Sequence, residues 1–370
     1  MNDSYKCHRR FFPVWGVLFP LFIFLSDARG FELKGFGDVN FKKSTLEESP
    51  DHIASFAVGH QIDFFVSMTL TDRIDFLSEM IISEVEEIDI VQRFHIGYIF
   101  SDALKVRVGR FHTTLGYWNP VFHHGTFTHI TIERPRFLLF EYERGVLPVH
   151  MVGIWTSGRY APGPMILGYD LSIGNGSKIE RIDPISRAGG ELDPNTFEGD
   201  DNPNKAVSFR LQVGPKALPG LSVMGFGNIG VVEGVHSASL PTLKVNQSIL
   251  GLAAVYVVPG SGLNFLSEIY RIRDKDQLTD LGVHTNTFYY IQAGYTFMER
   301  ITPYARYERM QVEKEDPYMT ALSAVENRRA LAGIRYEVSL ISALKGEIRE
   351  IDTEGVGDHS EYALQWAFSF

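Results

Sequence analysis

From Phe31 onward, apolar and polar residues alternate with a period of two rather than 3.6. Ile62, Phe64, Val66, Met68 and Leu70 are apolar, with Gln61, Asp63, Ser67 and Thr69 between them. Ile74, Phe76, Met80 and Ile82 alternate with Arg73, Asp75, Glu79 and Ser83, and Leu104, Val106 and Val108 with Lys105, Arg107 and Gly109. Such alternation describes a strand with one apolar and one polar face. Strands of soluble sandwiches run to about 5–6 residues, whereas many segments here reach about 10, the length that crosses a bilayer at a tilt. The pattern predicts strands over 31–43, 52–70, 73–85, 89–100, 104–112, 143–158, 164–174 and 205–213. It continues with 220–230, 247–258, 261–273, 284–298, 300–311, 327–338, 341–352 and 360–370. The fold class that follows is all-β, a transmembrane antiparallel barrel of about 16 strands, an even number as bacterial single-chain barrels have.

The links between these strands sort into two sets. Thr71-Asp72, Ser101–Ala103, Gly214–Pro219, Pro259-Gly260, Glu299 and Ser339-Leu340 are short. Their alternates, 44–51, 113–142, 175–204, 231–246, 274–283, 312–326 and 353–359, are mostly longer. Short periplasmic turns opposite long external loops are the expected asymmetry. The link near Glu86–Ile88 is the exception, short where an external loop is expected.

In the last segment Tyr362, Leu364, Trp366, Phe368 and Phe370 share one face, and Glu361, Ala363, Gln365, Ala367 and Ser369 the other. This resembles the C-terminal strand of Gram-negative outer-membrane proteins, which implies that Phe370 is the signal read by the barrel assembly machinery. Together with the strand count, the chain resembles the outer-membrane porins, in which the third external loop folds into the barrel and narrows it. The resemblance implies that segment 113–142 does so here, and that three copies associate. The phrase RVGRFHTTLGYWNP is also similar to segments of phosphate-selective-type porins, a short match from which phosphate specificity is not carried over.

The N-terminus fits export. Lys6, Arg9 and Arg10 precede an apolar run from Phe11 to Leu25, and Ala28-Arg29-Gly30 supplies small residues for cleavage before Phe31. Residues 1–30 therefore read as a secretory signal peptide, the remainder as one barrel domain, and an uncleaved anchor as the less favoured reading. Cys7 is the only cysteine and lies before the apolar run, so the exported chain has no disulfide, thiol nucleophile or Cys-based metal site. The leader carries four basic residues (Lys6, Arg9, Arg10, Arg29) and two acidic ones (Asp3, Asp27), so its removal takes the formal charge from −10 to −12. That sign, with export, disfavours nucleic acid as a partner.

Parity assigns the lumen face, since a charge facing lipid costs about 2–4 kcal/mol at the bilayer midplane. It turns Lys105, Arg107, Ser208, Arg210, Gln212, Tyr304, Arg306, Glu308, Arg329, Arg335, Glu337, Lys345, Glu347 and Arg349 inward. Ala330, Ala332, Ile334, Tyr336 and Val338 turn outward, toward outer-membrane lipid. The arrangement suggests a field across the lumen, basic wall against acidic loop, with basic residues favouring anions. The blander reading is charge pairing along neighbouring strands that keeps the lumen wet.

His123, His124, His129, Glu133, Arg134, Arg136, Glu141, Glu143 and Arg144 are the chemistry-bearing residues of the long loop. His123, His129 and Glu133 fit no helix face as metal ligands, and a structural or solvated role is preferred; no cofactor is implied. The histidines suggest pH-dependent gating instead. Tyr98, Trp155, Tyr169, Tyr295, Tyr336, Tyr362 and Trp366 suit interfacial girdles. No GxSxG, HExxH or P-loop pattern is present, nor a GxGxxG that opens a helix, which weighs against an enzyme. The expectation is a passive outer-membrane channel for small hydrophilic solutes. A substrate-specific anion channel of the phosphate type is the first alternative, and a barrel-based enzyme or adhesin the second.

Overall fold

The computed structural model describes residues 29–58, 61–83, 91–122, 125–180, 189–194, 203–237, 240–279 and 281–370. Strands β1 (Arg29–Ser44), β2 (Ser55–Val58), β3 (Gln61–Thr71), β4 (Ile74–Ser83), β5 (Arg93–Ser101) and β6 (Leu104–His112) open the chain. A helical turn α1 (Trp118–Val121) lies in the segment before β7 (His150–Tyr160) and β8 (Met165–Asn175). The short β9 (Lys178–Glu180) and β10 (Glu191–Asp193) pair with each other. Then come β11 (Lys205–Pro215), β12 (Leu221–Ser237), β13 (Leu240–Val257), β14 (Leu263–Asp276), β15 (Val283–Tyr295) and β16 (Ile301–Gln311). After the turn α2 (Pro317–Ala321), β17 (Asn327–Ser339), β18 (Ser342–Thr353) and β19 (Gly357–Ser369) complete the sheet.

Each strand pairs antiparallel with its predecessor around the wall, and β1 pairs with β19 from Phe36↔Ser369 to Ser44↔Glu361. Both β2 and β3 pair with β1 and form one stave, while β9 and β10 are additions to the long link. The result is a closed antiparallel barrel of sixteen staves. Closure leaves no unpaired edge, which a sheet in lipid cannot tolerate. Among the described residues no helix is long and apolar enough to cross a membrane.

The faces are those of a membrane barrel. In β18, Ala343, Lys345, Glu347 and Arg349 are buried while Leu344 and Ile348 are exposed. Ala330 and Ala332 are exposed too, as are Ile334, Tyr336, Val338, Leu364 and Trp366. A sheet with charges inside and leucines outside is inside-out for water and right for a bilayer. The seam is sealed by the C-terminal residue. Gly35 N–H donates to the Phe370 carbonyl and Phe370 N–H to that of Gly35. The Phe370 ring lies where a Cβ on Gly35 would stand.

All sixteen predicted spans are found, with differences at their ends. Of the link expected at 231–246, residues 231–237 and 240–246 are strand, because β12 and β13 continue pairing to Ser237↔Leu240. The strand expected from residue 143 starts at His150, because Glu141–Glu143 is a 3-10 turn closed by Arg144 at φ 64°. Trp155 does not join an outer girdle. It pairs across from Arg107, whose guanidinium lies 4.6 Å from its ring, and its indole N–H donates to Asp170 on the lumen side. Tyr98, Tyr295, Tyr336, Tyr362 and Trp366 are exposed on the outer face, and the Tyr169 hydroxyl donates to the Ala103 carbonyl. The expected leader lies outside the described residues except for Arg29 and Gly30, the first two of β1. The short link at Glu86–Ile88 also lies outside them.

Candidate functional site: the segment folded into the barrel

Between β6 and β7 the chain leaves the wall and packs against the inner faces of β11 to β19. Its two ends are tied together. Thr113 N–H donates to the Val149 carbonyl and the Thr113 hydroxyl to that of Pro148. Glu141 accepts from the backbone N–H groups of Val149 and His150 at 2.7 and 2.8 Å and meets His150 Nδ1 at 2.9 Å. Burial alone would raise the Glu141 carboxyl; the charge and hydrogen bonds of His150 bring it below the usual range. Phe140 stacks on the His150 ring, and the Arg134 guanidinium sits 3.7 Å from the centre of the Phe140 ring.

The leading part is held by one carboxylate. Glu268 on β14 accepts from Trp118 N–H at 2.8 Å, Tyr117 N–H at 3.3 Å, and the hydroxyls of Tyr270 and Tyr290 at 2.5 and 2.6 Å. Gly116 has φ +72°, and a Cβ there would collide with Glu268 and the Tyr270 hydroxyl, so this turn needs glycine. Trp118 is fully buried and meets Tyr290 edge to face. With Phe137, Leu138, Val146 and Leu147 it packs on Phe226, Tyr270, Ile272 and Phe288 of the wall. This half of the lumen is an apolar core rather than a watered surface.

The trailing part meets charge. Lys345 Nζ donates to the carbonyls of Thr126 and Thr131, and Arg335 to those of Phe127 and His129. Arg306 donates to the Thr131 hydroxyl and the Glu133 carbonyl. In return Ile132 N–H donates to Glu347 and Arg136 N–H to Glu308. An irregular segment has no ladder to satisfy its backbone; here wall side chains supply the partners. Glu133 reaches Lys42 at 2.5 Å, Arg349 at 2.9 Å and Arg329 at 3.4 Å. Burial opposes its charge, yet Arg349, Lys42 and Arg329 hold its carboxyl well below the ordinary range. The wall charges also pair among themselves, as Arg349–Glu347, Arg335–Glu337 and Arg329–Glu308. The Tyr304 hydroxyl donates to Glu347 as well.

The basic positions expected on the wall are therefore brought together, with the loop upon them. Arg306, Lys345 and Arg349 have almost no exposed surface; they hold the segment rather than stand free in a pore. The opposite wall is paired in its own way: Arg107 with Asp75, Arg210 with Asp170, and Arg93 with Glu79. Arg210 also donates to the Gly116 carbonyl. Lys105 projects from β6 partly exposed, and Glu143 accepts from Phe140 N–H. His123 and His124 lie outside the described residues. Buried His129 touches Trp118, and desolvation first, then Lys345, Arg134, Arg306 and Arg335, pushes its pKa well below 6.5. Burial thus favours the neutral imidazole while the segment is docked, and the ring takes up a proton more readily once it leaves the wall. Among the described residues no three His, Cys, Asp or Glu side chains are placed to hold a metal.

No protein-family model matches the chain, and no curated protein matches it in sequence. Solved structures do match. A trimer form of OmpT, an outer membrane protein of Vibrio cholerae, aligns at 11% identity over 92% of this chain and all of its own, with a TM-score of 0.57. An anion-selective porin from Comamonas acidovorans aligns at 11% identity, 92% and 99% coverage, and a TM-score of 0.58. The outer membrane channel DcaP of Acinetobacter baumannii gives 10%, 92% and 97%, and 0.58. The fold is that of the sixteen-stranded outer-membrane porins. At such identities the likeness lies in the porin barrel and not in particular side chains. The residues that position the segment must be read from this chain alone. Of these, Lys42, Glu268, Tyr270, Tyr290 and Asp38, which accepts from the Thr126 hydroxyl, were missed in the sequence; the signal for Asp38 and Lys42 was their shared parity in β1.

Proposed function

We propose that the chain is a passive channel for small hydrophilic solutes in the outer membrane of a Gram-negative bacterium. It would reach that membrane by export on residues 1–30 and insertion by the assembly machinery at Phe370, and would act as a homotrimer without catalysis. The observation that carries this reading is segment 113–149, pinned across a closed barrel by Glu133 and Glu268. A barrel of this strand number has room for an aqueous channel, and a fixed segment inside it sets the passage left over. Selectivity then follows from how the Arg and Lys wall holds the segment.

The filled apolar half of the lumen favours a second reading, a channel for a narrower set of small anions such as phosphate or organic acids. Conductance of the purified, folded protein in a planar bilayer, with reversal potential in a salt gradient, tests both. Steady conductance of weak selectivity supports the first, and a strongly anionic reversal potential the second. A folded barrel that conducts nothing overturns both and leaves the enzyme or adhesin scaffold.

A further inference from the structure

One surface lies outside the lumen and has no part in passage. On β14 the alternation reverses towards the external end: Tyr270 and Ile272 turn inward, and Arg271, Arg273 and Lys275 turn out, all exposed. Two outward cations further round the wall are paired, Arg309 with Glu326 and Arg328 with Asp352. The three on β14 have no acidic partner among the described residues. Their neighbours across the sheet are Leu250, Ser248 and Asn246 on β13, and Thr287, Thr285 and Val283 on β15. None carries charge. Glu313, beyond them, is engaged by the Thr285 N–H and faces His284.

Directly toward the membrane from this row the wall is hollow. A groove of about 430 Å³ crosses β11 to β14, walled by Phe209, Leu211, Leu250, Leu252 and Ile269 and ended by Arg271. Its floor is bare because Gly225 has no side chain; a Cβ there would meet only a Leu252 methyl at 3.7 Å. An apolar trough on a lipid-facing wall, ended by a cation and continued by two more, matches a molecule with a hydrocarbon tail and an anionic head. Cations at this height sit where lipid headgroups lie, and attract them.

We propose that the outer face of β12–β14 binds a phosphate-bearing anionic lipid, one acyl chain lying over Gly225 and the phosphate on Arg271, Arg273 and Lys275. The site rests on the barrel's membrane location and not on what the lumen conducts. Phosphatidic acid is the probe, added to the full-length folded barrel in neutral detergent, with retained lipid counted by native mass spectrometry. Bound lipid is expected on the native chain, and the combined R271Q, R273Q and K275Q variant should weaken it about tenfold. Gly225→Phe, which fills the trough and leaves the charges, should weaken it similarly, with Gly225→Leu as the milder alternative. Heat-dependent gel mobility confirms that each variant is folded, and conductance is expected to stay unchanged. Equal lipid retention by the native and variant chains overturns the proposal. So does full competition by inorganic phosphate, which would reduce the site to a bare anion patch. An oligomer that Gly225→Phe splits into monomers would also overturn it, by making the groove a contact between copies of this chain.

Discussion

Glu133 is a single carboxylate facing Lys42, Arg329 and Arg349, so its charge and not its volume holds the middle of the inserted segment. Glu133→Gln keeps the shape and leaves three cations short of a counter-charge, a loss of about 1–3 kcal/mol in docking. Arg136 lies three residues on, and limited trypsin digestion of the folded barrel reads the effect directly. The native segment should resist cleavage after Arg136 and the variant should be cut several-fold faster; equal rates would mean that Glu133 is not the latch. His129 adds a pH dependence. Its docked pKa is held below 6.5, so a released segment takes up a proton that the docked one refuses. Docking stability is therefore full above about 6.5 and falls as the pH drops below it. Glu133 acts in the same direction but lower, keeping its contribution above about 4.5 and losing it as the pH falls through its depressed value. Conductance should rise or become noisy between pH 6.5 and 5, and His129→Gln should flatten the upper part of that change. A native conductance constant to pH 5 would refute the linkage.

At the scale of elements, the inserted segment and the C-terminal strand make opposite demands. Deleting residues 118–136 removes the whole charged contact and Trp118, and should raise single-channel conductance while the sixteen staves remain; unchanged conductance would place the segment away from the passage. At the seam, Gly35→Val thrusts a side chain into the Phe370 ring, an overpacking worth about 1–3 kcal/mol. The heat-dependent band shift should then occur at lower temperature, and an unaltered shift would show that the ring moves aside freely. The wall itself was legible in the sequence because lipid outside and water inside impose a strict two-residue period. Arg329, Arg335, Lys345, Glu347 and Arg349 lie on the lumen face that parity assigns. Long-range partners were not legible. Nothing in the spacing says that Glu268, more than a hundred residues downstream, accepts from Trp118. The apolar lumen half was missed for a related reason: parity was read with the rule that inward means polar. Tyr270, Ile272, Phe288 and Phe226 break that rule because a folded segment, not water, lies opposite them. Trp155 was misplaced by the same rule, an aromatic assigned to lipid that lies beside Arg107 instead.

Over the whole molecule, the inner faces that the segment packs on divide into an apolar core along β12–β16 and an ionic lattice along β15–β19 and β1, with a separately paired wall opposite. The core gives the segment cohesion and the lattice gives it position, since apolar contact is indifferent to direction while paired charges are not. Ions in the surrounding water weaken attraction between exposed charges but hardly reach pairs shut away from them. Arg349, with 1% of its surface exposed, and Glu347 paired with it are shut away in this sense. The aperture of this barrel should therefore hold the same width in dilute fresh water and in brine, although the number of ions crossing it would differ greatly between the two.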